Sequence, residues 1–188
     1  FISTFTISSD GSSIVEVDTL EHDIFNGQYN SLVQVDSDTY ALAYAGTNDD
    51  GFISTFTIDS EGVITPIQIQ NHANTSEEDD VANVEHDEDR ASYNSLVHVV
   101  SDTYALAYTS HGEDGFISTF TISSSGVITP IQIQNHANTS EEDDVANVEH
   151  DEDRASYNSL VHVVSDTYAL AYTSHGEDGF ISTFTIDS

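Results

Sequence analysis

The chain has 188 residues and a formal net charge of -32, because 34 acidic side chains stand against only two basic ones. Nucleic acids and anionic membranes are bound by Lys and Arg side chains that face phosphate, so this charge argues against both as partners. No run of about 18 apolar residues occurs, and membrane insertion is not expected. The absence of cysteine excludes disulfides and thiolate metal sites.

The apolar residues indicate a packed protein. Nine Tyr, nine Phe and many Val and Ile residues occur in regular alternation, whereas a disordered acidic chain is poor in such side chains. The charge then keeps the protein soluble, and cations and basic proteins remain candidate partners.

An internal repeat dominates the sequence. The segment Phe-Ile-Ser-Thr-Phe-Thr-Ile begins at Phe1, Phe52, Phe116 and Phe180. The first interval is 51 residues and the other two are 64, because acidic inserts at 71–83 and 135–147 lengthen the later units. Residues 62–122 and 126–186 are identical, which indicates a recent duplication or a built sequence.

Each unit carries four strand signals. Residues 52–58 alternate in β-branched and aromatic types, and a turn follows at 59–62. Residues 63–70 contain a proline, which predicts an edge strand. After the insert, residues 94–100 and 104–108 predict two further strands, the last with alanines on one face.

A repeated four-stranded antiparallel meander of about 40 to 50 residues resembles the blade of a β-propeller. We therefore expect an all-β fold of blade-like units, with an open β-solenoid or stacked sheets as the alternative. The predicted units are a partial blade at 1–28 with third and outer strands, blades at 29–92 and 93–156, and a partial blade at 157–188. Because three blades do not readily close a ring, chains combine or the sequence is a window of a longer array.

Acidic loops between the second and third strands are candidate calcium sites, since calcium prefers hard oxygen ligands in a turn. An ordinary hairpin turn is the alternative. The candidate ligands are Asp49, Asp50, Glu113, Asp114, Glu177 and Asp178.

The triplet Glu-His-Asp recurs at 21–23, 85–87 and 149–151. We interpret it as a connecting turn whose carboxylate caps backbone amides, with metal or ligand binding as the alternative. The acidic runs at 76–80 and 140–144 are interpreted as solvated loops, with weak divalent binding or a basic partner as the alternative.

No sequence motif predicts catalysis, since nucleophile elbows, phosphate loops and His-Glu-x-x-His are all absent. We expect a non-enzymatic extracellular or cell-surface module for scaffolding, adhesion or self-association through exposed strands. A glycan- or peptide-binding module is the second hypothesis, and a hydrolase or lyase rests on fold analogy alone. The expected ligand contacts are Tyr29, Asn30, Tyr93, Asn94, Tyr157 and Asn158.

Overall fold

The computed structural model describes residues 1–67, 83–87, 90–131, 147–151 and 154–186. All regular structure in these residues is β-strand, apart from three short 3-10 turns. The all-β prediction is therefore confirmed. No helix in these ranges has the length and apolar character needed to cross a membrane.

Fifteen strands in the described residues form four antiparallel sheets. The first sheet contains β1 (Ile2–Ile7) and β2 (Ile14–Leu20). The second contains β3 (Gln28–Gln34), β4 (Thr39–Ala45), β5 (Gly51–Ile58), β6 (Ile64–Pro66) and β7 (Asn83–Asp87). The third contains β8 (Ser92–Val100), β9 (Thr103–Thr109), β10 (Gly115–Ile122), β11 (Ile128–Pro130) and β12 (Asn147–Asp151). The fourth contains β13 (Ser156–Val164), β14 (Thr167–Thr173) and β15 (Gly179–Thr185).

Strand order within a sheet follows chain order. The second sheet runs β3–β4–β5, and both β6 and β7 pair with the far edge of β5. The third sheet repeats this arrangement. The predicted edge position of Pro66 is confirmed, because β6 lies at the outside of its sheet and needs no amide donor on its open side.

The prediction of a single outer strand is wrong. The sequence places a single outer strand at 63–70 and treats the insert at 71–83 as separate from the sheet. In the structure the outer position is filled by two segments, and Asn83, the last residue of the insert, pairs with Ser54. Residues 68–82 and 132–146, which hold the acidic runs, lie outside the described residues.

Successive sheets pack face to face. One side of each repeated sheet, the small face, carries alanines of the second strand, such as Ala105 and Ala107. The opposite side, the large face, carries Leu and Tyr of the same strand, such as Leu170 and Tyr172. Each large face packs on the small face of the sheet before it, because alanine lets the bulky side chains approach closely.

Candidate functional site: the tyrosine row and the two end faces

Three tyrosines form a row across the second, third and fourth sheets. The ring centroids of Tyr29 and Tyr93 are 4.7 Å apart, and those of Tyr93 and Tyr157 are also 4.7 Å apart. These spacings are typical of attractive aromatic pairs. The structure therefore brings together the tyrosines that the sequence predicts as ligand contacts.

The backbone at each tyrosine has an uncommon conformation. Tyr29, Tyr93 and Tyr157 have φ values of 53°, 54° and 57°, in the left-handed region. Each lies where the ladder between the first two strands of its sheet shifts register. A bulky residue with positive φ is strained by about 1–3 kcal/mol and persists only where its surroundings hold it. Here a β-bulge aims each ring at the next one in the row.

The asparagine that follows each tyrosine serves the fold. Asn94 is buried and its amide donates to the carbonyl oxygen of Ala91 at 3.2 Å. Asn158 is also buried and donates to the Thr109 hydroxyl at 3.2 Å. Asn30 is exposed. Of the six predicted ligand contacts, the accessible ones are the three tyrosines and Asn30.

The acidic loops lie at the same end of the sheets as the tyrosine row and are closed hairpin turns. In the first of these loops, Asn48 and Asp49 both have positive φ, and the Gly46 amide donates to the Asp50 carbonyl at 2.8 Å. The other two loops repeat this closure, with Ser110 donating to Asp114 and Ser174 donating to Asp178. The predicted alternative of a hairpin turn is therefore confirmed for the backbone.

Two of these loops contact, through a carboxylate, a segment that connects one sheet to the next. Asp49 accepts a hydrogen bond from the Asn26 amide at 3.0 Å, and Glu113 pairs with Arg154 at 3.3 Å. Glu177 and Asp178 are exposed. The described residues contain no group of three or more metal-ligating side chains. Calcium binding by Asp49, Asp50, Glu113, Asp114, Glu177 and Asp178 stays a prediction.

The Glu-His-Asp triplets lie where the chain leaves one sheet for the next. Asp23 accepts hydrogen bonds from the amides of Phe25 and Asn26, both at 2.8 Å. Asp87 and Asp151 cap the amides of Arg90 and Arg154 in the same way, each at 2.9 Å. The predicted capping of backbone amides by this carboxylate is confirmed. The predicted connecting turn is wrong for 85–87 and 149–151, because these residues pair with the third strand of their sheet as the ends of β7 and β12.

The histidine of each triplet packs into the junction between sheets. His22, His86 and His150 meet the tyrosine ring of the next sheet edge-on, with centroids 4.7–4.9 Å apart. Within the described residues, neither ring nitrogen of His150 has a hydrogen-bond partner. Burial lowers the pKa of His150 to about 4. This histidine is therefore a neutral packing residue at neutral pH.

The two ends of the array expose residues whose repeats are buried inside. On the small face of the fourth sheet, Ile181 is 79% exposed, whereas its equivalents Ile53 and Ile117 are 0% and 5% exposed. On the large face of the second sheet, Leu32 is 49% exposed, whereas Leu96 is 5% exposed. Both ends of the described residues therefore carry apolar side chains that are exposed to solvent.

A comparison with models of protein families found no match, and a comparison with curated proteins found none either.

Proposed function

We propose that this chain is a non-enzymatic scaffold module of propeller-like blades, whose work is to associate with further units of the same repeat. The observation that carries the proposal is the exposure of equivalent residues at the two ends. The same face of the repeat is covered by a neighbouring sheet in the middle of the chain and is exposed at the two ends of the described residues.

The propeller-like arrangement is supported by how the inner strands lie. Inner strands of successive sheets are joined side by side: the Leu96 amide donates to the Ser31 hydroxyl, and the Leu160 amide donates to the Ser95 hydroxyl, both at 2.9 Å. In the described residues the outer strands of the first two sheets meet where the Ile64 amide donates to the Asp18 carboxylate at 2.9 Å. Four-stranded sheets packed with their first strands adjacent are the arrangement of propeller blades.

An extracellular or cell-surface setting suits this function. A chain with a net charge of -32 repels itself at low ionic strength, and salt or calcium in the medium screens that repulsion. Calcium held by the acidic loops would add to the stability of the hairpins. Melting with and without a chelator tests this part: a lower melting temperature with the chelator supports a structural calcium ion, and an unchanged one argues against it.

The association is tested by light-scattering mass of the chain over a range of concentrations at moderate salt. The proposal predicts mass above that of the monomer, increasing with concentration or reaching a closed oligomer. A monomer at every concentration would contradict it.

The tyrosine row favours a second candidate function, the binding of a glycan or an extended peptide. Tyr157 is 69% exposed, and aromatic rings in a row offer stacking surfaces for sugar rings or peptide side chains. Titration with a glycan array tests this function. Saturable binding that Tyr157→Ala removes supports it, and no binding argues against it.

A further inference from the structure

The two exposed end faces differ in shape and match each other. The fourth sheet ends the array with a small face, where Val161 and Val163 are 51% and 54% exposed. The other end presents large side chains: Leu32 of the second sheet and Phe1 and Phe5 of the first sheet are 49%, 72% and 52% exposed. Inside the array, a small face is always covered by a large one. The junctions inside the chain therefore indicate that each end face would bind the end face of the other kind.

The backbone at the two ends is complementary as well. The fourth sheet has a first, a second and a third strand, and in the described residues β15 pairs only with β14. The first sheet has a third and an outer strand, and β1 pairs only with β2 there. Both edges of the equivalent strand β5 are paired. Open strand edges are templates for strand addition.

The two partial sheets share one strand. β1 and β15 both contain Ile-Ser-Thr-Phe-Thr and occupy the third position of the unit. Joined together, the partial sheets would supply every strand of a complete unit and one third strand too many. Because the two third strands have the same side chains, either one fills the position with the same packing, and the other leaves the sheet.

We propose that the fourth sheet of one copy and the first sheet of a second copy merge into a single four-stranded sheet. This inference rests on the proposed scaffold function and names its partner: a unit of the same repeat, which a second copy supplies for the 188-residue chain. The merged sheet has β13 and β14 of one copy, one third strand, and β2 of the other copy. Its small face then covers Leu32 of the second copy.

The repeat defines contacts across the new junction. Ser31 and Ser95 each accept a hydrogen bond from the amide of the leucine 65 residues later. Ser159 occupies the next equivalent position, and it would accept from the Leu32 amide of the second copy. The tyrosine row continues in the same way, with the exposed ring of Tyr157 packing on Tyr29 of the second copy.

Photo-oxidative cross-linking of neighbouring tyrosines tests the junction in the full chain. The proposal predicts a covalent dimer and higher multimers on a denaturing gel. Tyr157→Phe and Tyr29→Phe each remove the ring hydroxyl needed for the bond between chains and should eliminate the multimers. Tyr93→Phe is the matched control, because its two neighbours lie in its own chain, and its multimers should persist.

Sedimentation of surface variants gives an independent test. Leu32→Glu and Val163→Glu each put a charge on one end face, and each should weaken association by about tenfold or more. Val127→Glu is the control, because Val127 is 39% exposed and lies between β10 and β11 of the third sheet, which forms neither end face. It should associate like the unchanged chain.

The outcomes separate the two proposals. If the chain associates but Tyr157→Phe, Leu32→Glu and Val163→Glu leave the association and cross-links unchanged, the merged sheet is wrong and the scaffold function stands. If the unchanged chain is monomeric at every concentration, both are wrong. The merged sheet is supported if Leu32→Glu and Val163→Glu weaken association while Val127→Glu does not, and if Tyr157→Phe eliminates the cross-links while Tyr93→Phe does not.

Discussion

The first three strands of the third sheet and the three strands of the fourth have the same sequence in different surroundings, because residues 62–122 and 126–186 are identical. Ile117 in β10 is 5% exposed, and its copy Ile181 in β15 is 79% exposed. Both lie on the small face of their sheet. The third sheet has a neighbour on that face, whereas the fourth has none within the described residues. Burial in this molecule is therefore decided by the neighbouring unit as much as by the residue itself.

The largest expected difference between the two sheets is in stability. Ile117→Ala removes a buried side chain from a packed junction and should cost about 2–4 kcal/mol of unfolding free energy. Ile181→Ala changes an exposed side chain and should cost less than about 1 kcal/mol. Urea unfolding at a dilution that keeps the chain monomeric measures both. Equal losses of unfolding free energy in the two variants would contradict the difference in burial between Ile117 and Ile181.

Alanine substitutions at two equivalent glycines should change stability by a smaller amount, again in the third sheet and not in the fourth. A methyl group at Gly115 would collide with the His150 ring and with Ala155, whereas one at Gly179 would meet nothing within 4 Å. Gly115→Ala should destabilise the chain by about 1–3 kcal/mol through overpacking. Gly179→Ala should be close to neutral. A shift of the unfolding midpoint by the second variant but not by the first would contradict the structure.

The junction between the third and fourth sheets should weaken in mild acid. The pKa of His150 is lowered from 6.5 to about 4 by burial, so the unfolded chain binds this proton at a higher pH than the folded chain. Stability from this group is complete above pH 6.5 and is lost as the pH falls from about 6.5 through about 4. Unfolding midpoints across this range measure the loss, and His150→Leu should reduce the slope. An unchanged slope in that variant would assign the loss to the carboxylates instead.

Salt should affect association only modestly. Raising the ionic strength from about 0.01 M to 0.15 M shortens the screening length from about 30 Å to about 8 Å. Repulsion between two chains of charge -32 then weakens, while the apolar end faces are unaffected. Sedimentation at both salt concentrations should show stronger association at the higher one. Weaker association with salt would indicate that opposite charges hold the copies together.

Much of the fold could be predicted because the repeat shows its periods directly. Alternation in residues 52–58, 94–100 and 104–108 predicts three strands, which the structure gives as β5, β8 and β9. Pro66 predicts the edge position. Alternating side chains and proline act locally, so a single sequence reveals them.

The split outer strand could not be read from the sequence. The insert interrupts the outer strand between Pro66 and Asn83, and the pairing of Asn83 with Ser54 depends on a strand 29 residues earlier. The first unit, which has no insert, indicates the continuous outer strand, because β2 runs unbroken from Ile14 to Leu20. Aligning this unit with the later ones places Glu-His-Asp after an outer strand.

The site was only partly predictable. The recurrence of the tyrosines identified the row, but not the positive φ values that aim the rings at one another. Asn94 and Asn158 were predicted beside them as ligand contacts, yet they are buried by sheets that pack from elsewhere in the chain. Burial of this kind depends on tertiary packing, which local sequence does not encode.

The reactivity of a single thiol on the small face of the fourth sheet tests most directly whether another copy covers that face. The chain has no cysteine, so Val163→Cys introduces one probe on that face, and Val127→Cys introduces a control elsewhere. A thiol reagent should modify the Val163→Cys variant quickly in dilute solution and progressively more slowly as protein concentration increases, while the control stays equally reactive. Reactivity at position 163 that does not change with concentration, in a chain that associates, would contradict the account.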